Sequence, residues 1–387
     1  MNNTYISDAV RYIGVNDKTL DLFESQYKVP NGVTYNSYVI LDEKVAVMDT
    51  VDGRATDQWL ANLDQALEGA SPDYLVVSHM EPDHGANIQR FAERYPQAKI
   101  VGNVKTFSMI GQFFELDLDG RTVEVKEGDT LELGSHRLQF FTAPMVHWPE
   151  VMVSYEQSEG ILFSADGFGK FGAMDAEEDW TEEAARYYLN IVGKYGVQVQ
   201  GLLKKVAALD IAMICPLHGP VLKDNLEFYL GKYQTWSSYE PEEKGVLVAY
   251  ASIHGNTADA AGRIAELLKA QGETVELMDL ARTDLSLAVR KAFYYDRMVL
   301  ACATYDGGLF PCMEEFLHHL KSKNFQKRKI GLMENGSWAP MAAKQMRAIL
   351  ETMKQVEVLD QVVTIRSAVH ADTMEQIQAL AEEIGAH

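Results

Sequence analysis

From Val246 to the C-terminus, short apolar runs alternate with amphipathic stretches, and this rhythm constrains the fold more than any other feature of the chain. The runs are Val246 to Tyr250, Thr274 to Leu280, Arg297 to Ala303, Lys329 to Met333 and Val362 to Ile365. Helices are expected from about Thr257 to Ala270, near Cys312 to Leu320, over Met341 to Met353 and from Asp372 onward. Runs of Val, Ile, Leu and Met bounded by helices read as strands buried on both faces, which requires crossover helices on either side of a parallel sheet. Five such strands in about 140 residues predict a doubly wound α/β unit.

Upstream the pattern is different. Closely spaced runs at Val33 to Leu41 and Lys44 to Asp49 precede a helix over Ala55 to Leu67 and a strand over Asp73 to Ser78. Hairpin-like runs follow at Thr122 to Val125, Thr130 to Phe141, Val151 to Tyr155 and Gly160 to Ser164, before two helical stretches. Strand-rich segments with interspersed helices predict an α+β sandwich. The polar, proline-bearing stretch Tyr239-Glu240-Pro241-Glu242-Glu243-Lys244-Gly245 marks a junction, giving domains 1–243 and 244–387. At 387 residues the chain is long enough for two such domains.

Composition excludes several partners. Thirty-five basic residues against 56 acidic give a net charge of −21, which repels phosphate backbones and argues against nucleic acid. The charge is uneven: residues 244–387 hold 16 basic and 18 acidic side chains, and the remaining 19 and 38 lie in 1–243. No window approaches the roughly 18 apolar residues of a membrane span, so no membrane is expected. Met1 to Tyr5 lacks the basic start and apolar run of a secretory signal. Cys215, Cys302 and Cys312 form no Cys-x-x-Cys pair, which fits a cytoplasmic location without disulfides.

The densest chemical signal is His79-Met80-Glu81-Pro82-Asp83-His84, directly after the apolar run Tyr74 to Ser78. Loops leaving buried strands are where sites are built, and four potential ligands within six residues form half of one. Further candidates follow later apolar runs in the same way: His147 after Phe140 to Val146, Asp166 after Gly160 to Ala165, and His218 after Ile211 to Leu217. Ligand types beyond successive strand ends share one rim. Four histidines and three carboxylates suffice for two metal ions with Asp166 between them, since two like charges in a partly buried site need an anionic bridge.

In the second part, Ala251-Ser252-Ile253-His254-Gly255-Asn256-Thr257 joins the first strand to a helix. Its hydroxyls, glycine and unpaired backbone N–H groups at a helix N-terminus suit a phosphate. Two further strand-end loops, Thr304-Tyr305-Asp306-Gly307-Gly308 and Asn335-Gly336-Ser337-Trp338, offer glycines for close approach and an aromatic each. Three such loops on the C-terminal edge of a parallel sheet make a flavin mononucleotide (FMN) site.

The motif His-x-Glu-x-Asp-His, then 62 residues to His147, 18 more to Asp166 and a later His-Gly-Pro, resembles that of the flavodiiron proteins. Their order of a metallo-β-lactamase-like αββα sandwich followed by a flavodoxin-like sheet matches the whole chain. The resemblance implies His79, Glu81 and His147 on one iron, Asp83, His84 and His218 on the other, and Asp166 bridging. It implies that Ser252, His254, Gly255, Asn256 and Thr257 hold the FMN phosphate, while Thr304 to Gly308 and Asn335 to Trp338 flank the isoalloxazine ring. Asp166 and His218 are separated by 51 residues, fewer than the family leads one to expect, and a shortened helical hairpin is the expected reason. Hydrolytic zinc members of the wider superfamily carry histidine where this chain has Glu81, and a hard oxygen donor there moves the preference toward iron.

The implied activity is reduction of dioxygen to water or of nitric oxide to nitrous oxide, using FMN and two iron ions per chain. The family places one chain's flavin beside its partner's iron site, so a head-to-tail homodimer, or a dimer of such dimers, is expected. The chain ends at His387 after its last helix, with no appended rubredoxin module, so a separate donor such as rubredoxin or a reduced deazaflavin is expected. Lys321, Lys323, Lys327, Arg328 and Lys329 are read as a basic patch able to steer an acidic carrier. The alternative reading is a zinc-dependent hydrolase fused to a flavodoxin module, using the same ligands to acidify a water.

Overall fold

The computed structural model describes residues 5–386. Met1 to Thr4 and His387, on which the readings of the two termini partly rested, lie outside the described residues. The chain forms two compact units, one of residues 1–188 and 197–234, the other of 189–196 and 235–387.

The first unit is built on two sheets. One runs in the spatial order Val10–Tyr12, Tyr38–Ile40, Ala46–Met48, Tyr74–Val76, Lys99–Gly102, Thr122–Glu124. The other runs Thr130–Glu132, Arg137–Thr142, Met152–Glu156, Ile161–Phe163, Met213–Cys215. Strand alternation sends Tyr38, Ile40, Met48, Val76 and Val101 of the first and Leu138, Phe140, Met152, Ile161 and Phe163 of the second into one shared core. Side chains of this kind stabilise the fold by about 1.5–3 kcal/mol each when fully buried.

Val39, Val47, Leu75 and Ile100 point to the opposite face of the first sheet and are equally buried. Helices Thr56–Leu67, Ile88–Arg94 and Val104–Phe113 bring their own buried apolar residues, among them Trp59, Leu63, Phe91 and Ile110. On the second sheet, outward-facing Val153 and Leu162 meet Val199, Leu202 and Val206 of helix Gly196–Val206. The result is the αββα sandwich. Val33 to Leu41, read as one strand, is two: Val33–Tyr35 pairs with Val15–Asp17, whereas Tyr38–Ile40 joins the large sheet. The interruption at Asn36-Ser37 arises because Asn36 turns its amide to the carbonyls of Pro216 and Gly219.

The second unit is a parallel sheet in the spatial order Val275–Asp279, Glu243–Ala251, Tyr295–Tyr305, Arg328–Asn335, Val356–Ile365, which is 2-1-3-4-5 in sequence, the flavodoxin-like order. Helix Asn256–Ala270 and the last helix, Ala371–Gly385, bury Ala260, Ile264, Leu268, Ile377, Leu380 and Ile384 against Val246, Val248 and Val299. Helix Leu285–Tyr294, not among the expected elements, starts at Asp284, whose carboxylate accepts from the Ser286 N–H. The stretch read as a junction runs straight into strand Glu243–Ala251. Residues 189–196 join this unit because the Tyr239 hydroxyl donates to Gly193 O at 2.9 Å and accepts from Gly196 N–H at 3.1 Å. Among the described residues, no helix is long and apolar enough to cross a membrane.

The basic patch proposed for steering is largely consumed by the fold. Arg328 is buried and donates to the carbonyls of Tyr239, Gln326 and Phe293. Lys327 pairs with Glu240, and Lys329 donates to Glu383 O at 2.8 Å. Burial of strand Arg328–Asn335 at its first residue drives this, because a guanidinium there must satisfy its N–H groups with backbone oxygens.

Candidate active site

In the first unit the strand Tyr74–Val76 ends at a buried Asp49 side chain, which accepts the Ser78 N–H at 2.6 Å and fixes where the His79 loop leaves the sheet. Pro82 then opens the short helix Pro82–Gly85, its lack of an N–H costing nothing at a first helical position. This turn sends Glu81, Asp83 and His84 back over the strand end. His218 is held from the opposite side. Its Nδ1 donates to Thr34 O, the Thr34 hydroxyl accepts from Gly219 N–H at 2.6 Å, and Tyr38 OH donates to Pro216 O at 2.8 Å. Helices Trp180–Tyr187 and Gly196–Val206 fill the short interval between Asp166 and His218.

All seven candidates converge as two groups, His79 with Glu81, His147 and Asp166, and Asp83 with His84 and His218. In the first group, His79 Nε2 lies 3.2 Å from Glu81 Oε2 and 3.3 Å from Asp166 Oδ2, and His147 Nε2 lies 3.0 and 3.1 Å from the same two oxygens. In the second, Asp83 Oδ2 lies 3.3 Å from His84 Nε2 and 3.2 Å from His218 Nε2. Asp166 turns Oδ2 to the first group and Oδ1 to the second, at 3.5 Å from His84 and 3.9 Å from His218.

These separations suit ligands around metals. Bonds of about 2.0–2.2 Å place neighbouring ligand atoms roughly 3 Å apart. Both Asp83 oxygens and Asp166 Oδ1 are buried without a hydrogen-bond partner, and His84 Nε2 faces His218 Nε2 at 3.0 Å. Two imidazole lone pairs directed at one point need a cation or a proton between them, and orphaned buried carboxylate oxygens need a counter-charge.

The electrostatics agree. Burial alone would lower the His79 imidazole, but Asp166, Glu150 and Glu81 hold it well above its ordinary range. His147 is likewise opposed by burial and raised to about 9 by Asp166 and Glu81. Burial would raise Asp166, yet His79, His147 and His84 hold it well below the usual carboxylate range. Around His218, Phe23 and Tyr187 stand with ring centroids at 5.3 and 5.4 Å, walling off water. A cavity of about 250 Å³ opens on Glu81 and Asp83 and is lined also by Leu22, Phe23, Glu24 and Tyr35.

Sequence reasoning missed one residue here. Glu150 is buried, and its Oε1 accepts from His79 Nδ1 and from Met80 N–H, both at 2.9 Å. Its only sequence signal was nearness to His147, because the contact spans 71 residues.

In the second unit, Ser252, His254, Asn256, Thr257, Thr304, Tyr305, Asp306, Gly307, Asn335, Gly336, Ser337 and Trp338 line one cavity of about 630 Å³. Gly255 and Gly308 shape its loops instead. Gly255 caps helix Asn256–Ala270 at φ 94°, and Gly308 begins the short strand that returns along Thr304 and Tyr305. The helix start leaves backbone N–H groups beside Ser252 and Thr257, a fit for a phosphate dianion. Gly336 allows Pro340 to approach: a Cβ there would meet Pro340 Cα at 2.8 Å. Asn335 spends its side chain on the loop framework, donating to Ser367 O and accepting from Ser367 N–H. Ser367, also absent from the sequence reading, lines the cavity and donates to Ser337 Oγ at 2.8 Å. Trp338 is 89 % exposed and Tyr305 45 %, so the rim carries apolar surface open to solvent.

Comparison with known proteins agrees with this architecture. The family model "ODP family beta lactamase" matches residues 33–219 and a flavodoxin domain model matches 247–376, so each candidate residue falls within a match. An anaerobic nitric oxide reductase flavorubredoxin from Aliivibrio salmonicida is 28% identical over 348 residues, covering 86% of this chain and 69% of that protein. A nitric oxide reductase from Moorella thermoacetica is 26% identical over 98% of both chains. The rubredoxin oxygen:oxidoreductase of Desulfovibrio gigas superposes with a TM-score of 0.92 at 26% identity, over 99% of this chain and 97% of that one. The flavodiiron protein of Giardia intestinalis shares the fold, with a TM-score of 0.93 at 22% identity over 99% and 95% of the two chains. With the sandwich and the flavodoxin-like sheet in this order and relatives matching along both, the chain belongs to the flavodiiron protein family.

Proposed function

We propose that this chain takes electrons from an electron donor into an FMN held by Ser252 to Thr257 and the two neighbouring loops. The seven converging residues would hold two iron ions, and the reaction is the reduction of dioxygen to water or of nitric oxide to nitrous oxide. The carrying observation is the split of Asp166, one oxygen toward each ligand group, with a carboxylate, Glu81, in the first group. The names of the relatives, which include nitric oxide reductases and a rubredoxin:oxygen oxidoreductase, support the same class. When bound, FMN supplies one- and two-electron exchange and the iron pair supplies a place to bind and reduce a diatomic gas.

The residues of the chain do the rest. The four histidines and three carboxylates set the charge and spacing of the metal positions. Phe23, Tyr187 and Tyr35 keep bulk water from His218 while the cavity over Glu81 and Asp83 leaves room for a small substrate. The helix start at Asn256 holds a phosphate, and Tyr305 and Trp338 offer aromatic faces to a ring. The exposed rim of Ile253, Tyr305 and Trp338 supports assembly as a head-to-tail homodimer that covers it; analytical ultracentrifugation finding a fully active monomer would refute that part. Glu81 disfavours the zinc hydrolase reading, since it replaces a nitrogen donor by a hard oxygen.

The test is anaerobic stopped-flow. Fully reduced, iron-analysed protein is mixed in parallel with dioxygen and with nitric oxide while the flavin band is followed. Reoxidation by one gas much faster than free flavin supports the proposal and names the substrate. Reoxidation no faster than free flavin, with zinc in the site and hydrolase turnover, would overturn it.

A further inference from the structure

Each imidazole that binds a metal through Nε2 carries a second nitrogen, and the partner of that nitrogen tunes the ligand. In this chain the partners differ. His79 Nδ1 meets a carboxylate, Glu150 Oε1, at 2.9 Å, and Met80 N–H donates to the same oxygen, so the ionised Glu150 accepts both hydrogen bonds. His79 is thereby fixed as the tautomer whose Nε2 lone pair faces Glu81 and Asp166. His218 Nδ1 meets a neutral carbonyl, Thr34 O. His84 Nδ1 is buried without a hydrogen-bond partner. Glu150 is itself held in place, since Asn103 Nδ2 donates to its backbone oxygen at 2.6 Å and its side chain is fully buried.

We infer that Glu150 is a positioning residue that makes the two metal positions unequal, strengthening the one built from His79, Glu81 and His147. The inference rests on the reading of the seven residues as metal ligands. A hydrogen bond to an anion is stronger than one to a neutral carbonyl, and it raises the electron density that the imidazole presents to a cation. Only one ligand group receives this contribution, so a cation at the His79 position leaves more slowly than one at the Asp83 position. The blander role, in which Glu150 merely satisfies the Met80 amide, predicts no such asymmetry.

The test compares wild type with Glu150→Gln, whose amide oxygen can accept both hydrogen bonds but carries no charge. Crystals of the iron-loaded proteins are exposed to a chelator for graded times, and the occupancy of each position is read by anomalous scattering. In wild type the position beside Asp83 empties first. In Glu150→Gln the position beside His79 empties about 10- to 100-fold faster than in wild type, while the other changes little. Equal acceleration at both positions would reduce Glu150 to a structural role and overturn the inference, as would unchanged occupancy at both. Should the glutamine variant fail to fold, Glu150→Asp, which keeps the charge but shortens the reach, must show the same asymmetry in smaller measure. Wild-type protein that takes up no metal at either position would instead sink the ligand assignment.

Discussion

The charge on Asp166 sets the proton inventory of the metal-free site, and removing that charge gives a quantitative test of the geometry. His147 Nε2 lies 3.0 Å from Glu81 Oε2 and 3.1 Å from Asp166 Oδ2, and the imidazole rises from 6.5 to about 9 despite its burial. A rise of that size corresponds to about 3 kcal/mol of preference for the charged form. Because the folded-state value is raised, this stabilisation is fully present below about pH 6.5 and is lost as pH climbs through about 9. Asp166 raises His147 both by its hydrogen bond and by its charge, so Asp166→Asn should lower His147 by about one unit or more. Histidine NMR titration of chelator-treated protein measures the shift directly, and urea melts across the same pH range follow its consequence. Against burial, His79 is also held above its ordinary range by Asp166, and His84 by Asp83 and Asp166, so metal-free wild type should lose at least about 3 kcal/mol toward alkaline pH and the variant clearly less. An unchanged His147 titration in Asp166→Asn, or a flat alkaline limb in wild type, would refute the claim that these carboxylates hold the proton.

Three other outcomes follow from particular contacts. Gly255→Ala forces an L side chain to φ 94° at the start of helix Asn256–Ala270, proposed above to hold the FMN phosphate; FMN affinity measured by flavin fluorescence should fall about tenfold or more, with metal content unchanged. Arg328→Ala strips the donors from the carbonyls of Tyr239, Gln326 and Phe293 and should cost about 3 kcal/mol or more in thermal melts, without altering the ionic-strength dependence of reduction by an acidic carrier. The Asp42 carboxyl, opposed by burial but hydrogen-bonded by His136 and Ser135, is held well below its usual range, so it stabilises the fold above that range and the gain is lost as pH falls. Asp42→Asn should therefore flatten the acid limb of the melting profile, and an unchanged acid limb would show that the pair contributes nothing.

Much of the candidate site was legible because its residues sit at strand ends. An apolar run long enough to be a buried strand fixes where its following loop emerges, and loops leaving one end of a sheet share a rim; this carries His79 to His84, His147, Asp166 and His218, and likewise Ser252 to Thr257, Thr304 to Gly307 and Asn335 to Trp338. The alternation of strand and helix after Val246 dictated a parallel sheet for the same local reason, since periodicity is set by which faces are buried. Local patterning could not separate Val33–Tyr35 from Tyr38–Ile40, because both are apolar and only the contact of Asn36 with Pro216 and Gly219 divides them between sheets.

Tertiary structure alone decided the partners that lie far away in sequence. A glutamate in a loop carries no signal of its own, and Glu150 acquires meaning only when folding brings it to His79 across 71 residues. Ser367 becomes part of the cavity lining through its exchange of hydrogen bonds with Asn335 and Ser337. Residues 189–196 join the second unit through the Tyr239 hydroxyl. The basic run from Lys321 to Lys329 shows the converse, since a sequence counts charges but only packing decides that Arg328 is buried among carbonyls and Lys327 is paired with Glu240. Periodicity and ligand type are properties of short segments and survive in the sequence, whereas burial and hydrogen-bond partnership belong to pairs of segments and exist only once the chain has closed on itself.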